Sequence, residues 1–89
     1  MPVISMFYGI IIMMYYADNK RHHRPHIHIQ YQDEEAVVSI PEGELLEGSL
    51  KGSKMKLIGA WIEIHQEELM ADWKLAVKGQ QVFNIEPLR

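Results

Sequence analysis

The hydrophobic pattern changes period twice along the chain. Residues 7–16 (Phe-Tyr-Gly-Ile-Ile-Ile-Met-Met-Tyr-Tyr) are apolar on both alternating faces. Their β-branched and aromatic content predicts a strand covered on both sides, and Gly9 with three successive isoleucines weighs against a helix. Residues 18–25 are polar and end in Pro25, which reads as a loop with Arg24 biased towards an extended conformation. Strict alternation follows. Ile27, Ile29 and Tyr31 point one way and His26, His28, Gln30 and Gln32 the other, predicting the clearest strand in the sequence. Asp33-Glu34 reads as a turn, and Glu35–Ile40 as a second alternating strand with Ala36, Val38 and Ile40 on its apolar face. Pro41-Glu42-Gly43 fits a type I turn with Gly43 left-handed, leading into a third meander strand over 44–50.

From Ser53 the period becomes helical. Ser53 is the expected N-cap and Gly79 the expected C-terminal glycine cap, with no proline between them. At about 100° per residue, Ile58, Trp61, Ile62, His65, Leu69, Trp73 and Ala76 form one apolar stripe. Lys56, Glu63, Glu67 and Lys74 lie opposite. This predicts one long helix, with Gly59 and His65 as the candidate break points. The tail 81–85 is an expected edge strand. The architecture expected is α+β: a single domain over residues 1–89, with an antiparallel meander of about four strands packed against one long C-terminal helix. The helix stripe should cover the face bearing Ile27, Ile29 and Tyr31.

Composition narrows the classes. With 47% hydrophobic and 24% charged residues, the 89-residue chain is not a disordered one. A chain this short buries only about 60–65% of its unfolded surface, so a homodimer or a partner is expected. The absence of cysteine excludes disulfides, a thiolate zinc site and a cysteine nucleophile. The apolar stretch 3–17 lacks a basic leader and is shorter than the ~20 residues a spanning helix needs. No membrane association is expected, and a reducing cytoplasm is the simplest location. Lys20, Arg21 and Arg24 place +3 within five residues, so the remaining chain carries −6 against a total of −3. A local anion site fits that distribution; a general basic surface does not.

Four of the five histidines fall within seven residues: His22, His23, His26 and His28. Residues i and i+2 of a strand share a face roughly 6.5–7 Å apart. Two imidazoles so placed can converge on one metal ion, and the preceding loop can return His22, His23 or the Asp18 carboxylate to them. That donor set suits Zn²⁺ or another first-row divalent metal. The same geometry also allows metal-free phosphodiester cleavage of RNA, with one histidine as base, one as acid, and Arg21 and Arg24 holding phosphate. A His-x-His pair on a polar strand face is equally the pattern of a solvated or interface pair. His65, in the middle of the helix stripe, reads as a hydrogen-bonded core residue, and Trp61 and Trp73 read as core.

The block His22-His23-Arg24-Pro25-His26-Ile27-His28 resembles the domain-of-unknown-function 4160 family of small bacterial proteins. So do the opening Met-Pro-Val-Ile-Ser-Met-Phe-Tyr-Gly-Ile, the segment Gly43-Glu44-Leu45-Leu46-Glu47-Gly48-Ser49-Leu50, and the pattern Trp61…His65-Gln66-Glu67-Glu68-Leu69…Trp73. In the family's register, His22, His26 and His28 occupy its histidine positions and His23 is extra. Arg24 stands where members usually carry a second proline, and Arg21-His22 where they carry Asp-His. The resemblance implies one half of a two-gene, toxin–antitoxin-like module encoded beside a second small protein.

Two functions are therefore expected to compete. In the first, His22, His26 and His28 bind a divalent metal, zinc first, or His26 and His28 act as base and acid. Arg21 and Arg24 bind phosphate, and the chain is the RNA-cleaving effector opposite a cognate small partner protein. In the second, the chain is a non-catalytic interaction module that docks a partner through its sheet edge and acidic helix face.

Overall fold

A computed structural model describes residues 2–16 and 23–89. Asp18, Arg21 and His22, and with them most of the expected polar loop, lie outside the described residues. The described chain runs β1 (Val3–Phe7), β2 (Ile10–Met13), β3 (His26–Tyr31), β4 (Glu34–Ser39), β5 (Leu45–Gly48), α1 (Gly52–Ile64) and α2 (Gln66–Val77). The strands form one antiparallel meander in the order β1-β2-β3-β4-β5. The class is α+β, with one strand and one helix more than the hydrophobic pattern predicts.

The additional strand comes from the first apolar run. It is not one strand over 7–16 but the end of β1, a two-residue turn and β2, with Phe7 opposite Ile10. Tyr8 and Gly9 both have positive φ, 50° and 78°, as a type I′ turn requires. Gly9 supplies one of these conformations readily, whereas a tyrosine in this region is unusual. The other turns are also displaced. Gln32-Asp33, not Asp33-Glu34, joins β3 to β4. The β4–β5 connection is wider than a type I turn: Ser39 N–H donates to the Glu44 carbonyl and Gly43 N–H to the Ser39 carbonyl.

Both helices cover one face of the sheet. Ile10 and Ile12 of β2, Ile27 and Ile29 of β3, and Ala36 and Val38 of β4 share a core with Ile58, Trp61, Ile62, Leu69, Trp73 and Ala76. Tyr31 packs at its margin. The predicted stripe is thus the buried stripe, while Lys56, Glu63, Glu67 and Lys74 are exposed. The stripe is carried by two helices that meet at His65 (φ −113°, ψ 28°), whose N–H is shared between the Trp61 and Ile62 carbonyls. At the N-terminus the cap is Lys51, not Ser53, and no side chain caps it. At the C-terminus, Gly79 N–H donates to Ala76 and Gln80 N–H to Leu75, the paired bonds of a Schellman motif.

The tail forms no strand. It is fastened to β1 by Ile85 N–H to the Ile4 carbonyl (2.8 Å), to α1 by the Trp61 indole N–H to the Glu86 carbonyl (2.8 Å), and by burial of Val82 and Ile85. A fourth link is Phe83 N–H to Asp72 Oδ1 at 3.1 Å. Asp72 is buried, and its Oδ2 has no partner among the described residues. Burial raises its carboxyl above the ordinary value; the Phe83 bond opposes the shift and Glu68 adds to it. The folded chain therefore holds this proton more tightly than the unfolded chain. Stability from this group is full at acid pH and falls as pH rises from the unfolded value through the folded one. Asp72→Asn keeps the acceptor for Phe83 and removes the charge. Its urea midpoint should exceed that of the unaltered protein at pH 7, the gap closing as pH falls towards 4; a lower midpoint at pH 7 would show that the ionised bond to Phe83 outweighs burial.

Candidate histidine site on the central strand

β3 is the middle strand, and its two-residue period sends Ile27 and Ile29 into the core. His28 consequently faces the side of the sheet away from the helices. It stands between Met13 of β2 and Val37 of β4, which are its register partners. His26 begins the strand opposite Ser39. The sequence pattern places both histidines on a polar face, but their surroundings differ. His28 is half-buried, whereas His26 is only 1% exposed.

Four rings follow one another in contact, tilted or edge-on. Tyr15 lies against His28 (centroids 4.1 Å apart, planes at 32°), His28 against His26 (5.3 Å, 65°), and His26 against Trp73 of α2 (4.9 Å, 56°). Trp73 thus serves the core and also closes over His26. Neither Tyr15 nor Trp73 stands out in the sequence as a site residue. For Tyr15 a signal exists: it follows Met13 by two, and Met13 pairs with His28, so strand parity puts it on the histidine face. For Trp73 none does, because its approach depends on how α2 crosses the end of the sheet.

A backbone carbonyl fixes the His26 tautomer. Nδ1 lies 2.8 Å from the Arg24 carbonyl oxygen, which can only accept, so Nδ1 carries the proton. A carbonyl accepting from Nδ1–H is the partner common among metal-ligating histidines.

Beside His28 a cleft of about 270 Å³ opens on the free face of the sheet. Met13 and Val37 flank the imidazole, Tyr15 and Gln30 form two walls, and Glu35 and Glu47 line the β4–β5 side. Among the described residues this lining includes two carboxylates and no Lys or Arg. Arg24 is engaged elsewhere: its guanidinium donates to Glu44 Oε2 (3.1 Å) and Glu42 Oε1 (3.4 Å). The Glu44 hydrogen bond raises Arg24 above its ordinary pKa, with a smaller push from Glu42. These exposed pairs are worth little in stability, but they aim Arg24 at the β4–β5 loop. His23 is exposed. His65, as expected, is hydrogen-bonded: its Nδ1 lies 2.6 Å from Glu68 Oε1, with the ring against Trp61.

The structure thus brings His26 and His28 together and places Arg24 on Glu42 and Glu44. Among the described residues, no three His, Asp or Glu side chains are grouped to hold a metal ion. Likewise, no described helix is long and apolar enough to cross a membrane.

Comparison with known proteins agrees with the family resemblance. Residues 9–74, about three-quarters of the chain, match the family described as Domain of unknown function (DUF4160). The chain belongs to this family. The DUF4160 match contains β2 to β5, α1 and most of α2, and so all four rings. No curated protein and no solved structure matches the chain.

The tautomer assignment is directly measurable. Long-range ¹⁵N–¹H spectra of the imidazoles at neutral pH should show His26 protonated on Nδ1, and a His26 protonated on Nε2 alone would contradict the hydrogen bond to Arg24.

Proposed function

We propose that His26 and His28 are two ligands of a divalent first-row metal, zinc first, with His22 as the third. The observation that carries this reading is the spacing of the two rings. Imidazoles sharing a tetrahedral Zn²⁺, with Zn–N near 2.0–2.1 Å, place their centroids roughly 5 Å apart; the pair here stands at 5.3 Å. The Nδ1–H···O=C bond of His26 supports it, since such a partner orients a ligating histidine. Two acids beside His28 also favour a cation over a free anion in the cleft.

A zinc ion so held, with a position left open, would supply a Lewis acid and a water activated near neutral pH. On this reading the chain is the RNA-cleaving half of a two-gene module, and its reaction is hydrolysis of a phosphodiester. Tyr15 and Trp73 hold the ligand rings. With Arg24 paired to Glu42 and Glu44, Arg21 is the cation left to hold phosphate.

The test is metal content by mass spectrometry on protein purified without an affinity tag. About one equivalent of zinc, manganese or nickel is expected, lost in the His26→Ala/His28→Ala double variant together with any cleavage of RNA. Because His26 is buried, His28→Ala alone supplies the control that should fold normally and still lose metal. A metal-free protein that also fails to take up added zinc contradicts the proposal.

A further inference from the structure

We propose that the cleft beside His28 is a nucleobase pocket that selects guanine. Strand parity builds it. Met13, His28 and Val37 are register partners across β2, β3 and β4, and the next pair on the same face of β3 and β4 is Gln30 and Glu35. These side chains line the cleft, with Tyr15 as a further wall. Met13 and Val37 are each 6% exposed, so the cleft has an apolar floor beside the imidazole. Gln30 and Glu35 are exposed and give it a polar rim. Its volume of about 270 Å³ is just under the roughly 300–1,000 Å³ of pockets for drug-sized molecules, and suits one ring system.

A flat ligand with apolar faces and a polar edge matches that division. An unstacked nucleobase is such a ligand: aromatic and apolar side chains take its faces, and polar ones read its Watson–Crick edge. Donor count selects the base. The Glu35 carboxylate only accepts, through two oxygens, while the Gln30 amide both donates and accepts. Guanine offers two adjacent donors, N1–H and the 2-amino group, beside an acceptor, O6. The donors meet the two Glu35 oxygens, and O6 meets the Gln30 amide. Adenine and cytosine set a ring lone pair next to their amino group, and uracil flanks its one N–H with two carbonyls, so each turns a lone pair towards the carboxylate. An arginine guanidinium has a similar pair of donors but no acceptor for the Gln30 N–H. Among the described residues, no side-chain hydrogen bond or ion pair occupies Gln30 or Glu35. The assignment uses neither Glu47 nor a metal. Only its consequence for cleavage, a guanosine next to the broken phosphodiester, rests on the reading given under the proposed function.

The test is amide chemical-shift titration of the intact, chelator-treated protein with the 5′-monophosphates of guanosine, inosine, adenosine, cytidine and uridine. Shifts centred on residues 28–30 and 35–37 are expected. The guanosine nucleotide should bind about tenfold or more tightly than the inosine one, which lacks the 2-amino group. Glu35→Gln, a change at an exposed side chain, should abolish that difference. A short RNA with a single guanosine distinguishes the sources of the base: tighter binding than the mononucleotide assigns the pocket to RNA, and equal or weaker binding assigns it to a free nucleotide, base selection being retained in both. No binding, equal binding of all the nucleotides, shifts centred elsewhere, a guanosine preference that survives Glu35→Gln, or arginine amide bound as tightly as the guanosine nucleotide would overturn the proposal.

Discussion

The alternation of β3 is the constraint on which the other elements depend. As the middle of five strands, β3 must commit one face to the core, and Ile27 and Ile29 leave no doubt which face that is. A shift of one residue would drive two imidazoles into the apolar contact with α1 and α2 and expose both isoleucines. With the register held by Met13 on one side and Val37 on the other, His28 is set on the helix-free face. His26 is carried to the end of the sheet, where Trp73 covers it. The histidine pair is thus a by-product of the most strongly determined strand in the fold, and its ring spacing is inherited from a rigid element.

The same sheet divides the molecule into a face that makes the fold and a face left for function. The core holds α1, α2 and the tail. The other face holds His28, Tyr15, the cleft and the acidic β4–β5 hairpin. Arg24 links the two parts of that face, since one guanidinium spans Glu42 and Glu44 while its own carbonyl accepts from His26. The chain entering β3 is therefore tied to the β4–β5 loop on one side and to the buried imidazole on the other.

Much of this was legible in the residues. The period of two at Ile27–Tyr31 and the stripe from Ile58 to Ala76 specified which side chains meet, because burial of apolar surface is what both patterns encode. The Tyr8-Gly9 turn was obscured because tyrosine is not a turn former and apolar residues continue on both sides of it. The break falls at His65, one of the two candidate points, although it carries neither proline nor glycine and the apolar stripe runs through it unchanged. At the site, the nearness of His26 to His28 followed from strand geometry. The contact of His26 with Trp73 did not, since Trp73 lies forty-seven residues later and on another element. The pairing of Arg24 with Glu42 and Glu44 was not legible, because those acids lie eighteen and twenty residues away.

The central claim is that these two imidazoles mark a metal position. Anomalous diffraction at the zinc edge, from crystals grown with Zn²⁺, tests it most directly. The account predicts one strong peak about 2.0–2.1 Å from a ring nitrogen of both His26 and His28. Zinc bound elsewhere, for instance at His65 and Glu68, with no peak between His26 and His28, would contradict it.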